Sequence, residues 1–147
     1  MELKLGVGIG PIAFGMQPEE VLLILGEPDA KRYDDQADEQ YTWYWEYYEH
    51  QLRLAFFEGD HNRLKHMYCM SPKLTYNGSL ILQQDAQKVK KEIFGSVIKD
   101  WIEDVYISFT ISINDEQGLA LYTDFGLITQ VEIDMPFEED GESIWTS

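Results

Sequence analysis

Cysteine is nearly missing from this sequence, and that bounds its chemistry first. Cys69 is the only one among 147 residues, so no intramolecular disulfide can form and a reducing compartment suits the chain. It lies in an apolar stretch with no activating base beside it, and reads as a packed core thiol rather than a nucleophile. Bases are scarce as well: 11 Lys and Arg stand against 27 Asp and Glu, a net charge of −16. Both halves of the chain are acidic and would repel phosphate backbones, which argues against a nucleic-acid partner. Long apolar runs are absent too: nothing approaches the roughly 18 residues a membrane span needs. Met1-Glu2-Leu3-Lys4 begins no basic-then-apolar signal pattern. The expectation is a cytoplasmic chain without membrane contact.

What is plentiful points to a folded domain. Hydrophobic residues make up 44% and aromatics 14%, unlike a disordered acidic chain. A chain of this length buries roughly 68–70% of its unfolded surface, so it needs neither disulfide nor metal to stay folded. The acidic surface suits solubility, or a basic partner.

Local signals divide the chain into similar halves. Pro18 suits the first position of a helix, Glu19 and Glu20 complement its positive end, and Val21, Leu22 and Leu25 form its apolar stripe. Gly26 and Pro28 end it. A polar loop is expected over 29–40. Strand-forming runs follow at Tyr41–Tyr48, Leu52–Phe57 and Leu64–Met70, with a turn at Glu58–Asn62. After a linker carrying Asn77-Gly78, Asp85 can cap a second helix bearing Val89, Ile93 and Phe94. The alternation of Val105–Ile113 predicts one strand with Val105, Ile107, Phe109, Ile111 and Ile113 on one face. Strands at Leu119–Thr123 and Leu127–Ile133 complete the series, and an acidic tail occupies 137–147. The same order recurring about half a chain later predicts one domain, 1–147, built from two degenerate repeats of about 1–70 and 75–136. The fold class expected is α+β: tandem helix-plus-antiparallel-meander units with the helices on one face of the sheet.

One stretch resembles a known superfamily. Gly15-Met16-x-x-Glu19-Glu20-Val21-x-x-x-Leu25-Gly26-x-Pro28, followed by Trp43, Leu52-x-Leu54-x-Phe56, Gly59 and Leu64, is similar to the repeat unit of beta-lactamase-inhibitor-protein-like folds. Small outer-membrane assembly lipoproteins share that unit. The likeness covers about 10–70, and 80–134 by pattern, where the second copy lacks the Gly-x-Pro stop. It implies helices packed on a sheet whose concave face binds other proteins, with no enzymatic activity.

If helices cover one side of the sheet, the other is left for water or a partner. Trp43, Trp45, Leu54, Phe56, Ile107, Phe109, Leu121 and Val131 fit the covered side. The alternate positions put Tyr44, Tyr48, Arg53, Phe57, Tyr106, Ser108, Tyr122 and Gln130 on the open side as candidate binding residues. Tyrosine and arginine combine contact area with hydrogen bonding and recur in binding hot spots. A one-residue slip in register would exchange the two faces.

Other motifs carry little. His61 and His66, near Asp60, lie in a turn and a strand with no evident convergence, so they read as surface histidines, as does His50. Asp34-Asp35-x-x-Asp38-Glu39 lacks the ordered spacing of a calcium loop. Gly6-Val7-Gly8-Ile9-Gly10 runs into Pro11 rather than opening a helix, against phosphate binding. No catalytic, cofactor or metal residues are assigned. The functional expectation is a non-catalytic module, of inhibitor or immunity type, masking a basic protein partner through the open face. The alternatives are a homodimer closed on that face, and a small ligand or a reaction in a cleft between the repeats.

Overall fold

A computed structural model describes residues 1–35 and 41–136. Three two-residue strands come first: β1 (Leu3–Lys4), β2 (Gly8–Ile9) and β3 (Ile12–Ala13), paired antiparallel with Leu3 opposite Ile9 and Ile9 opposite Ile12. All three of those apolar side chains are buried. α1 (Pro18–Leu25) has proline at its start and Glu19 and Glu20 in its first turn, and the N–H of Gln17 is 3.4 Å from Glu20 Oε1. It stops at Gly26, whose φ of +79° suits a residue without a Cβ and whose N–H bonds the Leu22 carbonyl at 2.9 Å.

β4 (Ala30–Asp34), β5 (Thr42–Tyr47), β6 (Leu52–Phe57) and β7 (Arg63–Cys69) form an antiparallel meander. β4 falls where a polar loop was expected. As an edge strand it needs no apolar pattern. Lys31 lies over the Trp45 ring and Arg32 over the Tyr44 ring, at 4.9 and 4.5 Å from the centroids. Residues 36–40 of the expected loop, with Asp38 and Glu39, lie outside the described residues, as does the tail 137–147.

The connector holds the hairpin β8 (Thr75–Tyr76) and β9 (Ser79–Leu80), then α2 (Ala86–Lys88), which passes into wider π-helical turns over Val89–Ile93. Asp85 caps α2, its Oδ2 accepting the Lys88 N–H at 3.0 Å. β10 (Ile102–Val105), β11 (Thr110–Asn114), β12 (Leu119–Asp124) and β13 (Leu127–Asp134) make a second meander. β13 pairs with β7, Val131 opposite Cys69 and Ile133 opposite Met67. The resulting eight-stranded sheet runs β10-β11-β12-β13-β7-β6-β5-β4. Among the described residues no helix is long and apolar enough to cross a membrane.

This architecture corrects the expected fold class. Among the described residues the chain is mostly β, built around one eight-stranded antiparallel sheet with two short α-helices, and is not an α+β fold with helices packed along a sheet face. The reason is how little the helices bury. α1 contributes Val21 to the fully buried set, while Leu23 is 89% exposed. Instead, extended and irregular segments share the core with the inner sheet residues: Leu3, Ile9, Ile12 and Phe14 from the first ribbon, and Leu74, Ile81 and Leu82 from the connector. Val89, Phe94 and Ile98 complete that layer.

A second correction concerns Val105–Ile113, which is a hairpin rather than one strand. The Tyr106 N–H bonds the Phe109 carbonyl at 2.8 Å, and Val105 and Ile107 are fully outside the core, at 77% and 109% exposure. Register also reverses the expected sides of β11. Ser112 pairs with buried Leu121 and is itself 0% exposed, whereas Ile111 and Ile113 share the opposite face with Tyr122 and Ala120. Burial of Ser112 is tolerated because its hydroxyl donates to Glu103 Oε2 at 2.6 Å, and Glu103 also accepts from Lys90. Burial, the largest single effect, pushes the Glu103 carboxyl up, but the Lys90 bond, the Ser112 bond and the Lys90 charge together outweigh it and hold the group below the usual range.

Candidate functional site

Period-two alternation and the strand register together define the uncovered face. Arg32, Tyr44, Glu46, Arg53 and Phe57 lie on it from β4 to β6, joined by His66 and Tyr68 of β7. Gln130, Glu132 and Asp134 of β13 and Tyr122 of β12 continue it. Its centre is the seam between β7 and β13, where His66 stands opposite Asp134 and Tyr68 opposite Glu132.

Polar contacts there are dense. Tyr122 donates its hydroxyl to Glu132 Oε2 at 2.8 Å, and His66 Nδ1 meets Asp134 Oδ1. Arg53 sits between strands, Nε 3.6 Å from Glu46 Oε1 and its guanidinium 5.1 Å from the Tyr68 ring centre. One ligand-type atom each from His66, Glu132 and Asp134 lie within 4.8 Å of one another. Burial pushes the Glu132 carboxyl above its ordinary value; the Tyr122 hydroxyl counteracts this and the Asp134 charge adds to it. The Tyr68 and Tyr122 phenols are pushed well up, first by burial and then by Glu132, so both remain neutral donors.

Aromatic rings flank this centre. Phe57 lies 4.9 Å from the His66 ring. On the other side Tyr106 stacks on Phe109 at 4.7 Å, and Phe109 on Tyr122 at 6.2 Å. Next to the seam, Tyr48, Arg53, Tyr68, Met70 and Gln130 line a hollow of about 200 Å³.

The expected binding residues divide accordingly. Tyr44, Arg53, Phe57, Tyr122 and Gln130 lie on the open face. Tyr48 sits in the exposed turn after β5, its N–H bonded to Asp29 Oδ2, and reaches the face at the hollow. Tyr106 belongs to the β10–β11 turn and joins through the ring stack, while Ser108 is exposed in that turn away from the seam. Of the residues expected beneath the cover, Trp45, Leu54, Phe56, Leu121 and Val131 are buried, but Trp43 and Ile107 are exposed and Phe109 joins the open-face stack. Sequence reasoning set His66 aside as a surface histidine without converging partners, and missed Tyr68, Glu132 and Asp134. Their alternation, His66-x-Tyr68 and Gln130-x-Glu132-x-Asp134, was the available signal, but the pairing that joins the two runs left no local trace.

No family model matches the chain, and no curated protein does. Among solved structures it is similar to an extracellular protein containing an SCP domain from Bacillus anthracis str. Ames, at 14% identity and a TM-score of 0.44. That match covers 82% of this chain and 43% of the other, so the chain spans less than half of that protein's length. A likeness this distant carries no conclusion about fold or function.

Proposed function

We propose that the chain is a protein-binding module whose open sheet face seats a basic segment of a partner, in the manner of an inhibitor or immunity-type protein. One observation carries this: two carboxylates, Glu132 and Asp134, held half-buried at the centre of an uncovered, aromatic-walled sheet face. A lysine or arginine head fits between carboxylates while its stem lies against Tyr122 and Phe109, whose faces also attract cations. The net charge of −16 would draw such a partner in from a distance, an effect that fades with salt. The two meanders meeting at β7 and β13 support a reading of 1–70 and 75–136 as degenerate copies. The lone, buried Cys69 likewise supports cytoplasmic placement.

Anisotropy titrations test the proposal, using labelled peptides of equal length rich in Arg and Lys, in Ser, or in Glu, with chelator present. The basic peptides should bind, weaken as salt rises, and lose at least about tenfold on the E132Q/D134N chain, in keeping with the loss of one or two close charge pairs. Basic peptides that bind no better than neutral ones would sink the proposal. So would light scattering showing a stable dimer that buries Tyr122.

A further inference from the structure

His66, Glu132 and Asp134 have the makings of more than a surface ion pair. The ladder places His66 directly across from Asp134, and Glu132, two residues earlier on the same strand, faces the same way. Three ligand-type side chains therefore project from adjacent strands of a continuous sheet rather than from mobile loops. Their atoms lie within 4.8 Å of one another. Ligands around a tetrahedral ion with bonds of about 2.0–2.2 Å are separated by about 3.4 Å, so modest side-chain rotation closes the set.

Neighbouring groups orient each ligand. Tyr122 holds Glu132 Oε2, which leaves the other carboxylate oxygen free to turn to an ion. Phe57 packs against the His66 ring and restricts its rotation. Such outer contacts are what set ligand orientation in metal sites. Two carboxylates side by side repel each other, and neither histidine nor Arg53, which is shared with Glu46, balances both.

The geometry points to a divalent transition-metal site at the β7–β13 seam, formed by His66, Glu132 and Asp134. One imidazole nitrogen with two carboxylate oxygens suits Zn²⁺, Co²⁺ or Mn²⁺; calcium and magnesium favour all-oxygen shells, and copper(I) favours sulfur. Three protein ligands leave at least one position open, and it faces outward because, among the described residues, no element lies over this side of the sheet. A bound ion would occupy the place proposed for the partner's basic head, so zinc and basic peptides should compete. The two proposals stand separately, since metal binding is measured on the chain alone and peptide binding under chelator.

The test is calorimetric titration of the chelator-stripped full chain with Zn²⁺, repeated with Co²⁺ to read its visible absorption. One equivalent should bind, and cobalt should show the bands of a nitrogen–oxygen site. H66A and E132Q should each weaken binding by more than about 100-fold, and Y122F by about 10-fold, the effect usual for an outer partner. H61A should bind as the unaltered chain does. Circular dichroism of E132Q, a near-isosteric change, separates loss of binding from loss of fold. Zinc that saturates only in the millimolar range, or binding that survives H66A and E132Q or falls equally in H61A, would overturn the assignment.

Discussion

Replacing Ser112 with valine should destabilise the chain more than replacing Ile111 with serine. Ser112 is sealed beneath the cover and donates at 2.6 Å to Glu103, which is already paired with Lys90. A hydrogen bond to a charged group contributes about 1.5–3 kcal/mol, and the 38% exposure of the Glu103 side chain reduces that to about 1–2. The larger valine adds about 1 kcal/mol of crowding at this buried position. Ser112→Val should therefore cost about 2–3 kcal/mol. Ile111 lies half-buried on the open face, so Ile111→Ser gives up about half of a full isoleucine burial, near 1 kcal/mol. Guanidinium unfolding followed by tryptophan fluorescence measures both. Had β11 the opposite facing, with Ile111 in the core and Ser112 in water, the order would invert and Ser112→Val would be neutral or stabilising. A Ser112→Val chain as stable as Ile111→Ser refutes the register.

Two further outcomes follow from particular contacts. Tyr47 donates its hydroxyl to the Gly26 carbonyl at 2.9 Å, and burial, helped by the charges of Glu27 and Asp29, pushes its phenol from an ordinary value of 10 up to about 12. A phenol raised on folding stabilises fully below pH 10 and loses that contribution as pH climbs through 12, so Tyr47→Phe should flatten this part of the stability–pH curve. Parallel curves for the two chains between those limits would contradict the assignment. At Gly118, φ is +65° and an added Cβ would stand 2.7 Å from the Asp134 carbonyl oxygen. Gly118→Ala should lower stability by about 2 kcal/mol or more in the same denaturation assay, from left-handed strain and the forced shift of β13. An unchanged midpoint would show that the turn relaxes freely.

Much of the local structure was legible. Pro18, the paired glutamates and Gly26 marked both ends of α1 because helix termini are satisfied by neighbouring residues. The runs forming β5, β6, β7, β12 and β13 carried their own periodicity. β4 was hidden, since an edge strand of Lys, Arg and Asp looks like a loop. The β10–β11 turn was hidden by an alternation that continued unbroken through Tyr106–Phe109. The candidate site was half visible: Arg53, Phe57, Tyr122 and Gln130 were placed on one face, while His66, Glu132 and Asp134 were not brought together.

On its own the sequence determined both ends of α1 and the runs of β5, β6, β7, β12 and β13, that the chain is acidic, and that one cysteine leaves no intramolecular disulfide. Those properties depend on composition and on residues within a turn or two of each other. The tertiary structure decided that β7 meets β13, which side of β11 is buried, and that extended ribbons share the core with the short helical segments. Alternation tells which side chains share a face but not which face is covered, and pairing between distant strands is written only in the packed whole.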